Sequence, residues 1–299
     1  MPRIVNGTRA QVRVPATSAN LGPGFDSLGM ALDWTDQIEV EVIESGYEVE
    51  VEGEGENTLP SDESHLVVAS ILRGLDELDA SAPGLRLTAH NTIPHGFGLG
   101  SSAAAVVGGL LAAWELVHPG LEPDRRLLLP LAIEAEGHAD NVSAALHGGL
   151  CLVWGSDENT RTVQLRVHPK LRVVALVPEV PVSTSRARGV LPDRVPRADA
   201  IANASRTALF VHAVRTDLGL LWDATADRLH QEYRADLMPE SYTLMTGLRS
   251  EGYAALISGA GPTVLVLGSD RHLDRLPDVA TPGFRRYALH VGSAAAVTH

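Results

Sequence analysis

The chain has 299 residues, of which 44% are hydrophobic and 20% charged, and a formal charge of −13. That is the balance of a globular protein with a core of its own, and an acidic chain without a basic run argues against nucleic acid as a partner. A single cysteine, Cys151, leaves no internal disulfide, which fits a reducing cytoplasm.

The N-terminus, MPRIVNGTRAQVRVPATSAN, has no apolar signal core. The most apolar stretch, 103–117, is short for a membrane span and is interrupted by Glu115. A cytoplasmic protein with no membrane partner is expected. The single lysine, Lys170, stands in a turn-like His-Pro-Lys, and no G-x-x-x-x-G-K-[ST] occurs. Any ATP chemistry here must do without a Walker lysine.

In chain order, residues 10–14 (AQVRV) read as a first strand and 15–29 (PATSANLGPGFDSLG) as a loop rich in turn formers. Ile38, Val40 and Val42, then Tyr47, Val49 and Val51, alternate with polar residues around Glu44-Ser45-Gly46. That spacing predicts a β-hairpin with one wet face. Residues 64–78 have helical spacing and 85–90 read as a strand. A glycine loop then enters a helix from Ser101 to about Val117, and another helix covers 124–136. Strands are expected at 149–154, 162–167 and 172–177. The proline- and arginine-rich stretch 181–197 reads as a loop, followed by two or three helices between 196 and 250. Strands at 253–258 and 263–267 flank a second glycine turn, SGAGP. The pattern is α+β, with two domains and a boundary near 155–180.

The segment 94–105, PHGFGLGSSAAA, pours a side-chain-poor loop into a helix N-terminus. The first N–H groups of a helix lack internal partners, and its dipole places about half a positive charge there. Gly98 and Gly100 admit close approach to the backbone, and Ser101 and Ser102 offer hydroxyls, so the segment suits a phosphate without a lysine. A plain serine-capped helix after a glycine turn explains the same residues, and the loop alone leaves both readings open. The G-x-G-x-x-G spacing of a dinucleotide fold is missing.

Two more motifs bear on that choice: PATSANLGPGFDSLG at 15–29 and SGAGPTVLVL at 258–267. With the glycine loop, in this order, they resemble the family of galactokinase, homoserine kinase, mevalonate kinase and phosphomevalonate kinase. The first motif, and EGHADNV at 136–142, are most similar to the homoserine kinases of that family. The resemblance spans nearly the whole chain. It implies transfer of the γ-phosphoryl of ATP to a small-molecule hydroxyl, that of L-homoserine, with Mg²⁺. The implied fold is an N-terminal domain like ribosomal protein S5 domain 2, over 1–165, and a ferredoxin-like C-terminal domain, over 166–299. Members are often homodimers, and no patch in this sequence marks such an interface.

The resemblance also implies residue roles. Pro94, His95, Gly96, Phe97, Gly98, Leu99, Gly100, Ser101, Ser102, Ala103 and Ala104 would cradle the ATP phosphates. Glu136 would hold the metal with a hydroxyl from Ser101 or Ser102; Ser101 is the expected one, and Glu134 competes with Glu136 by spacing. Asn20 and Asp26 would meet the homoserine ammonium, and Arg188 and Arg234 its carboxylate, with Arg186 a close rival of Arg188. Thr184, His138, Asn141 and Gly259 complete the expected substrate site. Asp140 is a candidate general base, and direct attack by the hydroxyl needs none. Phe97, His90, His65 and Ala139 depart from the common family pattern. A kinase for mevalonate or another alcohol, and a non-catalytic relative, are the alternatives.

Overall fold

The computed structural model describes residues 2–155, 159–276 and 283–298. The described strands form two sheets, one of seven strands and one of four. The larger begins with β1 (Arg9–Ala19), β2 (Leu28–Val42) and β3 (Gly46–Gly53). Helix α1 (Leu66–Glu77) leads to β4 (Gly84–Asn91), which lies between β2 and β3. The expected hairpin is therefore not formed: β3 pairs with β4 in parallel and takes the sheet edge. Burial explains the choice. β4 brings Leu85, Leu87 and Ala89 into the core, whereas β3 is charge-rich, exposed on one face and only half-buried at Val49 and Val51 on the other, as suits an edge strand.

Strand β1 also runs further than expected, through 15–19, with a register shift between Pro15 and Thr17. Pro15 has no N–H to give to the ladder, so the irregularity falls beside it. Past the bulge, the Thr17 N–H donates to the Leu99 carbonyl at 2.9 Å, which ties β1 to the glycine loop.

Helix α2 (Ser101–Val117) is buried almost all round. Gly108 lies where a Cβ would strike Ile38, and Gly109 where it would meet Ser70 and the Val67 carbonyl, so the small residues set how closely α2 packs on the sheet and on α1. Helix α3 (Arg125–Glu136) ends at Gly137, in the left-handed region at φ 82°. Helix α4 (Ala139–His147), which the sequence did not suggest, starts two residues later. Then follow β5 (Leu150–Trp154) and β6 (Arg161–Leu165), with β5 on β2.

The second sheet contains β7 (Leu171–Pro178), β8 (Ala254–Ile257), β9 (Val264–Ser269) and β10 (Phe284–Leu289) in the order β10-β7-β9-β8, all antiparallel. Between β7 and β8 come α5 (Thr184–Gly189), α6 (Arg197–Thr216), α7 (Leu221–Ala224) and α8 (Pro239–Ser250); α9 (Asp270–Leu273) follows β9. Read without the short inserts, this is the βαββαβ plan of a ferredoxin-like unit. The expected loop at 181–197 contains α5, capped by Ser183. Strand β11 (Ala296–Thr298) returns to pair with β1, so the end of the chain rejoins the first sheet. One apolar cluster runs from Val12 and Ile38 through α2 to Val173, Leu265 and Phe210. Among the described residues no helix is long and apolar enough to cross a membrane.

Candidate active site

A cleft of about 190 Å³ opens where the first-motif turn, the glycine loop, the α3–α4 junction, α5 and the SGAGP turn converge. In the glycine loop the protein engages every carbonyl. Gly96 accepts from Val182 N–H (2.9 Å), Phe97 from Thr263 N–H (3.3 Å), Gly98 from the Ser258 hydroxyl (2.6 Å), Leu99 from Thr17 N–H and Gly100 from Ala104 N–H (both 2.9 Å). Among the described residues none of the N–H groups from Gly96 to Ala103 has a protein partner. Left-handed φ at Gly96, Gly98 and Gly100 (80°, 72° and 69°) alternates with ordinary φ at Phe97 and Leu99. This is the geometry of an anion-binding nest running into a helix N-terminus.

Of the expected cradle, Gly96, Gly98, Leu99, Gly100, Ser101 and Ser102 line the cleft. Pro94, His95, Phe97, Ala103 and Ala104 do not. Pro94 has no N–H, Phe97 packs on the core, Ala103 and Ala104 are buried, and the Ala104 N–H is committed to Gly100.

A chain of polar contacts crosses the cleft. The Ser102 hydroxyl donates to Glu136 Oε1 at 2.9 Å, while Ser101 also lines the cleft. Glu136 Oε2 accepts from the His138 backbone N–H (2.7 Å) and lies 3.0 Å from His138 Nδ1. Arg188 Nε donates to His138 Nε2 at 3.0 Å, which fixes the proton on Nδ1. The hydrogen bond to Glu136 holds the His138 pKa above its ordinary value, against burial and Arg188. Arg188 Nη2 then donates to Asp26 Oδ1 at 2.9 Å. Asp26, Asn20 and Leu21 all adopt left-handed φ (53°, 67° and 47°), strain concentrated in one short turn. Asn20 accepts from Asp26 N–H at 3.0 Å and donates to the Gly259 carbonyl at 2.9 Å, so its amide stitches the turn to SGAGP.

Arg234 sits at the bottom, on a 3₁₀ turn (Glu232–Leu237), and is 2% exposed. Its guanidinium donates to the Ala187 carbonyl (2.9 Å), the Gly259 carbonyl (3.2 Å) and His230 Nδ1 (3.0 Å), and lies over the Phe25 ring. Among the described residues no carboxylate pairs with it. Burial, then Arg188 nearby, lowers its pKa to about 10, which leaves it charged at neutral pH. Its hydrogen-bond acceptors are all neutral, and the charges of Asp26 and Asp227 act on it only through space, opposing the lowering.

Thr184 and Arg188 are four residues apart on α5, so both reach the cleft. Asn141 accepts from the Thr17 hydroxyl at 2.8 Å. Asp140 is buried and accepts from the Asn141 N–H (2.9 Å) and the Asn20 N–H (3.4 Å). Burial, then the charge of Asp26, raises its pKa to about 7. The two rivals lie elsewhere: Glu134 pairs with Arg73 on the surface, and Arg186 is exposed outside the cleft wall. His90 pairs with Glu52 at 2.8 Å, and His65 caps α1. The sequence reading missed Thr17, Phe25, Asp227 and His230. Phe25 stands inside the first motif and His230 four residues before Arg234, so both were within reach of a local search.

The same architecture occurs in known proteins. Residues 65–149 match the GHMP kinases N terminal domain, and residues 210–279 match the GHMP kinases C terminal domain. A homoserine kinase of Cutibacterium acnes is 49% identical over 285 residues, covering 94% of this chain and 96% of its own. One of Streptomyces coelicolor is 48% identical over 271 residues, covering 90% and 88%. The crystal structure of homoserine kinase from Cytophaga hutchinsonii superposes with a TM-score of 0.85 at 29% identity, over 97% of this chain and 98% of that one. A mevalonate diphosphate decarboxylase from Staphylococcus aureus shares the fold at a TM-score of 0.68 and 15% identity, over 98% of both chains.

Proposed function

The chain belongs to the GHMP kinases, and among them to the homoserine kinases, and from that premise we propose how its cleft performs the reaction. The reaction is ATP-dependent phosphorylation of homoserine, a step in threonine biosynthesis. The γ-phosphorus of ATP bonds to the homoserine side-chain oxygen, its bond to the β,γ-bridging oxygen breaks, ADP leaves with that oxygen, and the hydroxyl proton passes to a phosphoryl oxygen and on to water.

The N–H groups of Gly96 and of Gly98 to Ser102, which line the cleft and have no partner among the described residues, would receive the ATP phosphates. Ser102 and Glu136 offer hard oxygen donors side by side at the start of α2, the set Mg²⁺ takes when phosphate oxygens and water supply the rest. Bound there, Mg²⁺ would neutralise phosphate charge. Arg234 and Arg188 would receive the homoserine carboxylate and Asp26 its ammonium. The Asn141 side chain, held by Thr17, would position the hydroxyl. The buried Asp140 would hold the Asn20 and Asn141 backbones, with no dedicated base, as a loose phosphoryl-transfer transition state permits.

Residues 1–165 would thus carry the nucleotide and metal, and 166–299 would supply Arg188, Arg234 and the SGAGP turn. We extend the family likeness to a cytoplasmic homodimer, to be read by light scattering.

The observation that carries this reading is Arg234, a buried charge with no carboxylate paired to it among the described residues, in the same cleft as Asp26. The test is ADP release from MgATP with L-homoserine, mevalonate, L-serine and L-threonine as separate acceptors. Turnover with homoserine alone supports the zwitterion clamp. Turnover with mevalonate contradicts it, because mevalonate has no ammonium for Asp26.

A further inference from the structure

We propose that His230 is a positioning residue: a neutral imidazole strut that holds Arg234 at a fixed distance from the turn bearing Asp26, and so matches the cleft to an α-amino acid. The inference rests on the reading of Arg234 as the carboxylate site.

His230 is fully buried and its two ring nitrogens face partners of opposite demand. Nε2 lies 2.8 Å from the Gly22 carbonyl, which can only accept, so Nε2 carries the proton. Nδ1 lies 3.0 Å from Arg234 Nη1, which can only donate, so Nδ1 is bare. The two contacts agree on one neutral tautomer. A second proton on Nδ1 would set N–H against N–H. The environment favours the same state: burial pushes the imidazole pKa down, Asp227 opposes, and Arg234 adds to the lowering.

The ring itself is held. Asp227, also buried, accepts from the backbone N–H groups of Leu229, His230 and Gln231 and from the Asn203 side chain. Phe25 lies against the imidazole with ring centroids 5.2 Å apart. Gly22 is packed so closely against the Thr225 carbonyl that a Cβ there would clash. The strut therefore joins two fixed points: Gly22, in the turn that presents Asp26, and the guanidinium of Arg234. Homoserine, placed as proposed above, would reach from Asp26, four residues further along the same turn, to that guanidinium.

The two amide variants separate the two contacts. In H230N the amide oxygen can stand in for Nδ1 and accept from Arg234. In H230Q the amide nitrogen can stand in for Nε2 and donate to Gly22, and the acceptor facing Arg234 is lost. Steady-state kinetics should show the homoserine KM of H230Q raised about 10- to 100-fold, the cost of an unmade hydrogen bond to a charged group, with the ATP KM within about twofold. H230N keeps the acceptor for Arg234 but cuts the tie to Gly22, so it should raise the homoserine KM as well, by a smaller factor of about 3 to 10. An unchanged homoserine KM in either variant, a shift in ATP KM instead, or failure of both variants to fold overturns the proposal. R234A distinguishes this from failure of the parent reading. If R234A leaves the homoserine KM unchanged, the carboxylate site is misassigned. If R234A raises it and H230Q does not, the strut alone is wrong.

Discussion

Asp26 and Arg188 meet across the mouth of the cleft, carboxylate to guanidinium at 2.9 Å, the first on the β1–β2 turn and the second on α5. Their side chains are 46% and 42% exposed, so the pair contributes little to stability. Homoserine offers each of them a replacement partner, its ammonium for Asp26 and its carboxylate for Arg188. Opening such a pair costs little, and the two new contacts offset it.

D26N should therefore raise the homoserine KM about tenfold or more, the worth of a charge-assisted contact, and leave the melting temperature nearly unchanged. Kinetics at saturating ATP together with a thermal melt checks both halves. A large loss of stability with an unchanged KM would assign Asp26 to the fold instead.

Glu136 meets Ser102 and not Ser101. S102A and E136A should each lower kcat, E136A by about 100-fold or more, and raise the Mg²⁺ concentration needed for half-maximal rate. S101A should be the milder serine variant in Mg²⁺ dependence. The reverse order in an Mg²⁺ titration would return the metal to Ser101.

Gly98 and Gly96 both have left-handed φ but differ in their surroundings. A Cβ on Gly98 would run into the Ser258 carbonyl and lie 2.8 Å from the Gly261 oxygen, whereas on Gly96 the nearest atom is Pro181 Cβ at 3.1 Å. G98A should cost about 2 kcal/mol or more of stability and weaken ATP binding, with G96A milder in both. Denaturant unfolding and nucleotide titration of the two variants test the ranking; equal effects would show that the loop does not need its contact with SGAGP.

Asp140 supplies a pH signature. Its carboxyl is raised from 3.8 to about 7 in the fold. Between about pH 4 and pH 7 the folded protein therefore keeps a proton that the unfolded chain has released, so this group's contribution to stability falls as pH rises and levels off above that window. Asp36, raised to about 6, acts in the same sense over a narrower range. D140N should match wild type near pH 4 and exceed it at pH 8 by a few kcal/mol. Parallel stability profiles for the two proteins would mean that Asp140 is ionised in the fold.

The sequence revealed motifs better than it revealed their partners. PHGFGLGSS announces an anion cradle because glycine spacing and a following helix are local properties. That Ser102 rather than Ser101 meets Glu136, and that Arg188 rather than Arg186 lines the cleft, depends on how α2 and α5 are rotated, which packing decides. The expected hairpin failed for a related reason. Alternation in β2 and β3 reports which faces are wet, but β4, arriving from beyond α1, is more apolar than β3 and takes the place beside β2. The strand at 15–19 was hidden because Pro15, Ser18 and Asn20 read as turn formers, whereas a bulge lets the strand continue past the proline. His230 was hidden because its meaning lies in two contacts, one of them more than 200 residues away in sequence.

The most direct measurement is calorimetric titration of L-homoserine into wild type and R234A, each saturated with Mg²⁺ and a non-hydrolysable ATP analogue. A carboxylate held by a buried guanidinium requires R234A to bind homoserine at least about 10-fold more weakly, with the affinity for the nucleotide analogue within about twofold of wild type. Equal homoserine affinity in the two proteins, or a loss confined to the nucleotide, would contradict the placement of the amino acid in this cleft.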